Sequence, residues 1–469
     1  MYKSLLIVIL IVLTWVSLYG QNEGDQTENA QPVNKMVPFF RDSTFLPDPN
    51  LVKEYNPRKA LWIPFTEALG LNVGIWAFNR YVTDAHHAYI GWQSIKNNIK
   101  NGFDWDADAL LVNMWGHPFQ GSIYYNMARS SGYGYWPSLG VTAFGSLQWE
   151  FFMEVEPPAL NDFIMTTFGG AMYGEMFYRF SNLILDESVS GGSRTWREIG
   201  AGIFNPGRLF NRLIYGRTNR LTDYRLYQRE PNLGELTLGA NYVAKGTDFK
   251  NADRNQMLAF EYYYGQLFYR KRYKPMDYFN FYTVLNFGGH QPGLGQFRIF
   301  GVLTSTQNTY QNGNKILWGL FQTIDYMHNN VYELAGYGAG PAIGFRTSAE
   351  NQHAFSALLN VSFMPMGGAN SDYAPNYKVE SLDSARTYNM GAGASSRLEA
   401  FWLFPGGDIS LKYSFWWLHT MQGAPGDEFV GILQPKARFQ IIGRWYLGLQ
   451  YLLYHRVGKY KDYDDIDMR

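Results

Sequence analysis

Long runs of alternating apolar and polar residues in the second half of the chain constrain the fold more than any other feature. In Asp408–Trp417, Ile409 and every second residue after it are apolar or aromatic, whereas the residues between them are mostly polar. Ala354–Phe363 and Leu236–Val243 alternate in the same way. Because a period of two places successive side chains on opposite faces of a strand, the pattern predicts β-strands with one apolar face.

The length of these runs separates two kinds of β protein. Many reach about 10 residues, beyond the usual 5–6 of soluble sheets and sufficient for a tilted strand to cross a bilayer. Further strands are predicted at Met257–Phe268, Tyr278–Phe287, Gln296–Ser305, Ile316–Met327, Glu333–Phe345, Met390–Trp402, Phe429–Ile442 and Trp445–Arg456.

A soluble β-sandwich also explains alternation, but it does not explain why tryptophans collect at strand ends. Aromatic girdles at the two membrane interfaces explain this distribution and the strand length together. With Leu71–Tyr81 and Phe103–Asn113 as first strands, we predict a mainly β fold, a transmembrane antiparallel β-barrel of about 12 strands with a helical insert near the N-terminal third. The tryptophans concerned are Trp318, Trp402, Trp416, Trp417 and Trp445.

Composition excludes several classes of function. The 469 residues include 40 Lys and Arg against 40 Asp and Glu, so the chain lacks the basic excess of a nucleic-acid-binding protein. The absence of cysteine removes disulfide scaffolds, cysteine-ligated metal centres and thiol nucleophiles. An aromatic content of 17% fits the large β protein that the strand pattern predicts.

The first twenty residues indicate export. Lys3 precedes the apolar run Leu5–Val16, and a small residue, Gly20, stands before Gln21. This order is typical of a secretory signal peptide, cleaved near Gly20–Gln21. The run is shorter than the roughly 20 residues that a membrane anchor needs. We therefore expect a cell outer-membrane protein, whose partners are outer-membrane lipid and the outer-membrane insertion machinery.

Changes in composition and in the pattern of apolar residues divide the chain into five segments. Residues 1–20 are the signal peptide, 21–60 a polar N-terminal segment, 61–113 the first barrel strands, 114–215 the helical insert, and 216–469 the remaining strands with an acidic tail. The insert is expected in the lumen or at the periplasmic mouth, since its charged residues would be costly against lipid. The tail is interpreted as a solvated terminus rather than a calcium loop.

Three helices are predicted in the insert from proline and capping signals. Gly169, Gly170 and Gly174 occupy neighbouring positions of the third helix, where small residues allow another helix to approach closely. The three helices run from Pro118 to the residue before Ser130, from Pro137 to about Val155, and from Asn161 or Asp162 to about Leu185.

Candidate catalytic residues lie along the first helix and at the helix ends, and the His, Glu and Asp at the ends could form one pocket suited to acid–base chemistry or to a metal. Each also has a structural interpretation: the aspartate as a helix cap, the histidine as a partner of a loop carbonyl, and the glutamate as a buried group with a partner. The candidates are His117, Tyr125, Arg129, Glu150 and Asp162.

Other groups receive no catalytic assignment. Glu175 and Arg179 are four residues apart and are predicted to form a structural ion pair. His86 and His87 are adjacent and point apart on a regular element, so a chelate there is not expected. No metal ligand and no cofactor-binding residue is assigned from the sequence, and the cofactor stays unknown.

The insert resembles a known family. The runs HPFQGSIYYNMARSSGYGYW, QWEFF, PPALNDFIMTTFGGAMYGEMFYR and FNPGRLFNRL, in that order within residues 105–215, resemble an uncharacterised Gram-negative outer-membrane family known as a domain of unknown function. The resemblance implies outer-membrane residence and no established reaction. The insert is also similar to VanZ-like helical proteins, at His117, Tyr125, Glu150, Asp162, Gly170 and Gly174.

Three classes of function remain open. The chain lacks a Gly-x-Ser-x-Gly elbow, a Walker A loop and a His-Glu-x-x-His helix, which are the motifs of common hydrolases and nucleotide-binding proteins. The first class is a plugged or narrow transport or structural barrel. The second is an outer-membrane enzyme acting on lipid or envelope glycolipid through the insert, and the third is a subunit of an envelope assembly. Whether the chain is an enzyme is undecided by the sequence.

Overall fold

The computed structural model describes residues 58–106, 108–222, 230–244, 250, 252–348, 353–374 and 387–468. The described residues up to 222 form one compact unit and those from 230 onward form another, which we call the helical unit and the strand unit. The signal peptide and the polar segment up to residue 57 lie outside the described residues.

The helical unit is built from eight α-helices and four short turns in its described residues. Two of those turns are π-helical, Val112–Gly116 and Met165–Gly169, and two are 3₁₀ turns, His86–Ala88 and Arg217–Asn219. The α-helices are α1 (Trp62–Tyr81), α2 (Trp92–Asn101), α3 (His117–Ser130), α4 (Tyr135–Phe152), α5 (Leu160–Ile164), α6 (Gly170–Ile184), α7 (Gly191–Phe204) and α8 (Pro206–Ile214).

The strands predicted within residues 61–113 are wrong. Leu71–Tyr81 is the second half of α1, whose buried residues Pro64, Ala68 and Asn72 recur every four positions. The Asn72 side chain donates 2.9 Å to the Gly145 carbonyl, which ties α1 to α4. Within Phe103–Asn113, Asp104 makes an isolated bridge to Ala159 and the chain is helical from Leu110.

The three helices predicted in the insert are present, with one change. The first two correspond to α3 and α4, whereas the third is divided by the π-helical turn into α5 and α6. The predicted close approach is confirmed, because a Cβ on Gly170 would lie 2.6 Å from the Gly121 Cα and one on Gly174 would lie 2.5 Å from the Tyr125 ring. Glycine therefore lets α3 and α6 pack backbone against backbone.

The strand unit is one antiparallel sheet. Twelve strands follow one another in the order β1-β2-β4-β5-β6-β7-β8-β9-β10-β11-β13-β14, and the sheet is curled into a half-barrel. The short strands β3 and β12 pair with β5 and β11. The strands are β1 (Asn232–Val243), β2 (Asp253–Tyr264), β3 (Arg272–Tyr273), β4 (Phe279–Phe287), β5 (Leu294–Thr309), β6 (Lys315–His328), β7 (Glu333–Arg346), β8 (Ala354–Asn370), β9 (Tyr388–Phe404), β10 (Gly407–Gln422), β11 (Gly426–Ile442), β12 (Trp445–Gln450), β13 (Leu453–Tyr460) and β14 (Ile466–Met468).

The acidic tail is partly ordered against the sheet. Ile466–Met468 pairs with β13, and Lys459 forms an ion pair with Asp465. The acidic side chains of the tail are exposed, in agreement with a solvated terminus, while the backbone of Ile466–Met468 pairs with the sheet.

The two faces of the sheet differ in the way that the alternation predicts. On β10, the side chains of Ile409 and Leu411 are about 40% exposed, whereas Asp408 and Ser410 are at most 5% exposed. Strand β8 follows the same rule, since Phe363 is 64% exposed and its neighbour Ser362 is buried. The apolar face thus points away from the protein interior, the reverse of a water-soluble sheet.

The inward face is filled by charged and apolar side chains. Four of the five ion pairs there join strands that are not neighbours in the sheet order, which shows how strongly the sheet curls, and the fifth, Arg456–Glu428, joins the neighbouring strands β11 and β13. Aromatic and aliphatic side chains form two further clusters inside the unit. The ion pairs are Arg298–Glu399 (3.5 Å), Arg397–Asp325 (2.7 Å), Lys412–Glu261 (2.8 Å), Arg438–Glu235 (2.7 Å) and Arg456–Glu428 (2.8 Å).

Within the part of the chain that the structure describes, no helix combines the length and the apolarity needed to cross a membrane.

Candidate functional site

Two irregular segments of the helical unit bring a histidine and aspartates together. His117 is the first residue of α3 and directly follows the π-helical turn Val112–Gly116. Asp162 lies in the short helix α5, directly before the second π-helical turn. Such turns place side chains where a regular helix would not, and they recur at functional sites.

His117 lies between two carboxylates. Its Nε2 atom is 3.2 Å from Asp108 Oδ2 and 3.2 Å from Asp162 Oδ1. The Asp162 side chain is 5% exposed, whereas that of Asp108 is 44% exposed. The cluster is therefore buried on the α5 side and open on the Asp108 side, which gives a small ligand or ion a way in.

Amide groups hold the buried carboxylate in place. The Asn161 side chain donates to Asp162 Oδ1 at 2.7 Å and to Asn113 Oδ1 at 2.8 Å. The Asp106 backbone N–H in turn donates to Asn161 Oδ1 at 3.0 Å. This network fixes the orientation of the aspartate relative to the imidazole.

Burial and repulsion dominate the electrostatics of the cluster. Burial, followed by the charges of Asp106 and Asp108, raises the pKa of Asp162 well above its ordinary value. Burial alone would lower the pKa of His117, but the hydrogen bond and charge of Asp108, joined by Glu150, outweigh it and raise that pKa. The site thus combines a carboxyl and an imidazole whose pKa values are both raised by their surroundings, and such perturbed groups are candidates for acid–base chemistry.

Glu150 lies close to this cluster but has a different partner. Its Oε2 atom accepts a 2.8 Å hydrogen bond from the backbone N–H of Ala159, at the start of α5. Burial first, and then the charges of Asp162 and Glu154, raise its pKa well above the ordinary value. Burial likewise raises the pKa of Glu154 to about 7. Glu150 therefore positions the segment that carries Asp162.

Tyr125 and Arg129 belong to a second cluster, around Glu175. The Tyr125 hydroxyl donates to Glu175 Oε2 at 2.6 Å, Arg129 Nε to the same atom at 2.8 Å, and Arg179 Nε to Oε1 at 2.8 Å. Burial would raise the pKa of this carboxyl, but the two arginines outweigh burial and lower it to about 2. The predicted Glu175–Arg179 ion pair is confirmed, and every oxygen of the carboxylate is satisfied.

Comparison with known proteins adds one finding to this geometry. Residues 102–207 match the model of a family described as a domain of unknown function, DUF3943. No curated protein and no solved structure matches the chain. Every residue of the two clusters lies inside the DUF3943 match, which carries no support for the VanZ likeness or for outer-membrane residence.

The DUF3943 segment contains a set of atoms that could hold a metal ion. One ligand atom each from Asp108, His117 and Asp162 lies within 4.8 Å of the others. Their positions at helix starts predict His117 and Asp162 from the sequence, whereas Asp106 and Asp108 are not among the predicted residues. The closely spaced acids Asp104, Asp106 and Asp108 are the signal that could have revealed them.

Proposed function

We propose that this chain is an integral outer-membrane protein whose strand unit lies in lipid as a structural or narrow barrel. The observation that carries the proposal is the inversion of the sheet, with apolar side chains outside and charged side chains inside. Water favours the opposite arrangement, whereas hydrocarbon favours this one. The outward side chains include Leu238, Trp318, Ile343, Leu359, Phe363, Trp402, Leu411 and Phe439, which are 38–79% exposed.

The contents of the strand unit favour a narrow barrel over a wide pore. Large buried side chains such as Arg298 occupy the inward face, and their charges are matched in ion pairs. An open water-filled channel would leave such side chains exposed. The interior is therefore suited to structural support or to selective passage of small solutes.

The surface of the helical unit agrees with an envelope location. Trp62, Trp92, Trp136 and Trp196 are all more than half exposed, whereas Asp162 and Glu175 are buried. Tryptophan is enriched at membrane–water interfaces, so these exposed side chains support the proposal.

A second candidate is an outer-membrane enzyme acting on lipid or envelope glycolipid. The contact of His117 with Asp108 and Asp162 favours it, since an imidazole between carboxylates is a general acid–base arrangement. In this reading the aspartates orient the ring and stabilise its protonated form, while the open Asp108 side admits the substrate.

The membrane proposal is tested by fractionation and gel migration. The mature protein is expected to sediment with outer membranes and to migrate differently on gels with and without heating, because closed barrels resist unfolding by detergent alone. Recovery in the soluble periplasmic fraction, with no effect of heating, would contradict it.

A further inference from the structure

We propose that Asp108, His117 and Asp162 bind a divalent transition-metal ion of the zinc and manganese class. The three side chains offer one imidazole nitrogen and two carboxylate oxygens. This inference is independent of the membrane proposal, because ion binding by the helical unit can be measured whatever surrounds the strand unit.

The spacing of the ligand atoms fits such an ion. Bonds of about 2.0–2.2 Å from zinc to nitrogen or oxygen place neighbouring ligand atoms about 3.0–3.5 Å apart in tetrahedral or octahedral geometry. The distances from His117 Nε2 to the nearest oxygens of Asp108 and Asp162 are both 3.2 Å. These two distances fit an ion without movement of the imidazole, and the two carboxylate oxygens lie within 4.8 Å of each other.

The contacts of the imidazole point to a cation independently of this spacing. Nε2 carries at most one hydrogen, yet it is equally close to two carboxylates. The contact with Asp108 has hydrogen-bond geometry, and a single N–H cannot be directed fully at both oxygens. A cation approached by all three atoms satisfies the imidazole and both carboxylates at once.

The balance of charge supports the same conclusion. Asp108 and Asp162 both contact one imidazole, Asp106 forms a side-chain hydrogen bond with Asp162, and Asp162 is almost fully buried. Buried carboxylates need protons, hydrogen bonds or a cation to offset the loss of water. A divalent ion offsets the negative charge more completely than one imidazolium does.

The surroundings resemble the second shell of a metal site. Asn161 donates to Asp162 and is itself held by Asp106 and Asn113, so the carboxylate is oriented before an ion arrives. An imidazole in the donor set favours zinc, manganese or iron over magnesium and calcium, which prefer oxygen ligands alone.

The test uses purified full-length protein that has been treated with a chelator and then titrated with Zn²⁺ alone by calorimetry. Wild type is expected to bind one ion per chain. Asp162→Asn and His117→Ala are each expected to weaken binding at least tenfold. Asp104→Asn and His86→Ala serve as matched controls, because both side chains are exposed and lie outside the cluster, and they should bind as wild type does.

Folding is checked by circular dichroism. If the buried Asp162→Asn variant does not fold, Asp108→Asn decides the question, because its half-exposed side chain tolerates substitution. A Zn²⁺-dependent rise of the melting temperature in wild type and in the controls, absent in Asp108→Asn, would support the site. Equal Zn²⁺ binding by wild type and the ligand variants, or no binding by wild type, would overturn it. Binding of Mg²⁺ as tight as that of Zn²⁺ would overturn the assignment of the ion.

Discussion

At the scale of single residues, the helical unit separates two kinds of buried carboxylate. Glu175 faces two arginines and a tyrosine hydroxyl and is held ionised, whereas Asp162 faces other carboxylates and an imidazole. Neighbouring side chains neutralise the Glu175 carboxylate and satisfy its hydrogen bonds, so its role is structural. The cluster around Asp162 has more carboxylates than positive groups, which is why we place the functional site there.

The environment of Glu175 predicts a loss of stability in acid. Its pKa is lowered from 4.5 to about 2, so folding favours the ionised form. The stabilisation, about 3 kcal/mol, is complete above the unfolded pKa and is lost as the pH falls toward 2. Melting temperatures measured between pH 6 and about pH 2 should fall more steeply for wild type than for Glu175→Gln.

The same variant has a second expected effect, at neutral pH. Glu175→Gln removes the carboxylate that pairs with both Arg129 and Arg179, and removing one partner of a buried ion pair costs about 3–5 kcal/mol. Melting curves of the two proteins that coincide at pH 7, or fall in parallel with pH, would contradict this account of the cluster.

Two substitutions of Glu150 are expected to differ in stability, and each serves as the control for the other. Glu150→Gln keeps an oxygen that can accept the Ala159 N–H. Glu150→Ala leaves that N–H buried without a partner, at a cost of about 1–3 kcal/mol. Chemical denaturation should therefore separate the alanine variant from wild type and leave the glutamine variant close to it. Equal destabilisation by both would point to the charge instead of the hydrogen bond.

At the scale of elements, some features were readable from the sequence and others were not. The faces of β8 and β10 follow directly from a period of two. The helix Trp62–Tyr81 was missed because its apolar residues are numerous enough to fit two periods, and its burial against α4 through Asn72 depends on tertiary contacts.

The sequence predicts only some residues of the site, for a related reason. His117 and Asp162 were found by their positions at helix starts. Asp108 lies beside these residues because the π-helical turn Val112–Gly116 changes the direction of the chain between Asp108 and His117. The periodicity of the sequence does not predict a turn of this kind. The convergence of α3 and α5 is likewise a property of packing, not of local sequence.

The packing of α3 against α6 predicts a sharp difference between two glycines. A Cβ at Gly170 would lie 2.6 Å from the Gly121 Cα, whereas nothing lies within 4 Å of a Cβ at Gly140 on α4. Gly170→Ala should cost about 1–3 kcal/mol through overpacking. Gly140→Ala should gain up to about 1 kcal/mol through helix propensity.

Thermal or chemical unfolding of both glycine variants measures the difference. Equal effects of the two substitutions would show that backbone contact between α3 and α6 does not limit stability.

At the scale of the whole molecule, the membrane proposal depends on the inverted sheet of the strand unit, whose apolar face points outward. The sequence predicted both its apolar and its polar face, and the structure places the apolar face outward and fills the inward face with ion pairs. Twelve successive strands agree with the predicted number, although all of them come from residue 232 onward and the described residues between 58 and 222 contribute none.

The most direct test of the membrane proposal uses neighbouring residues of one strand. Because the chain has no cysteine, Leu411→Cys and Ser410→Cys each introduce a single thiol for a fluorescent probe, one on the outward face and one on the inward face of β10. In vesicles containing brominated lipid, the account predicts strong quenching of the probe at position 411 and little quenching at position 410. Equal quenching at the two positions, or none at either, would contradict the claim that the apolar face of the sheet meets lipid.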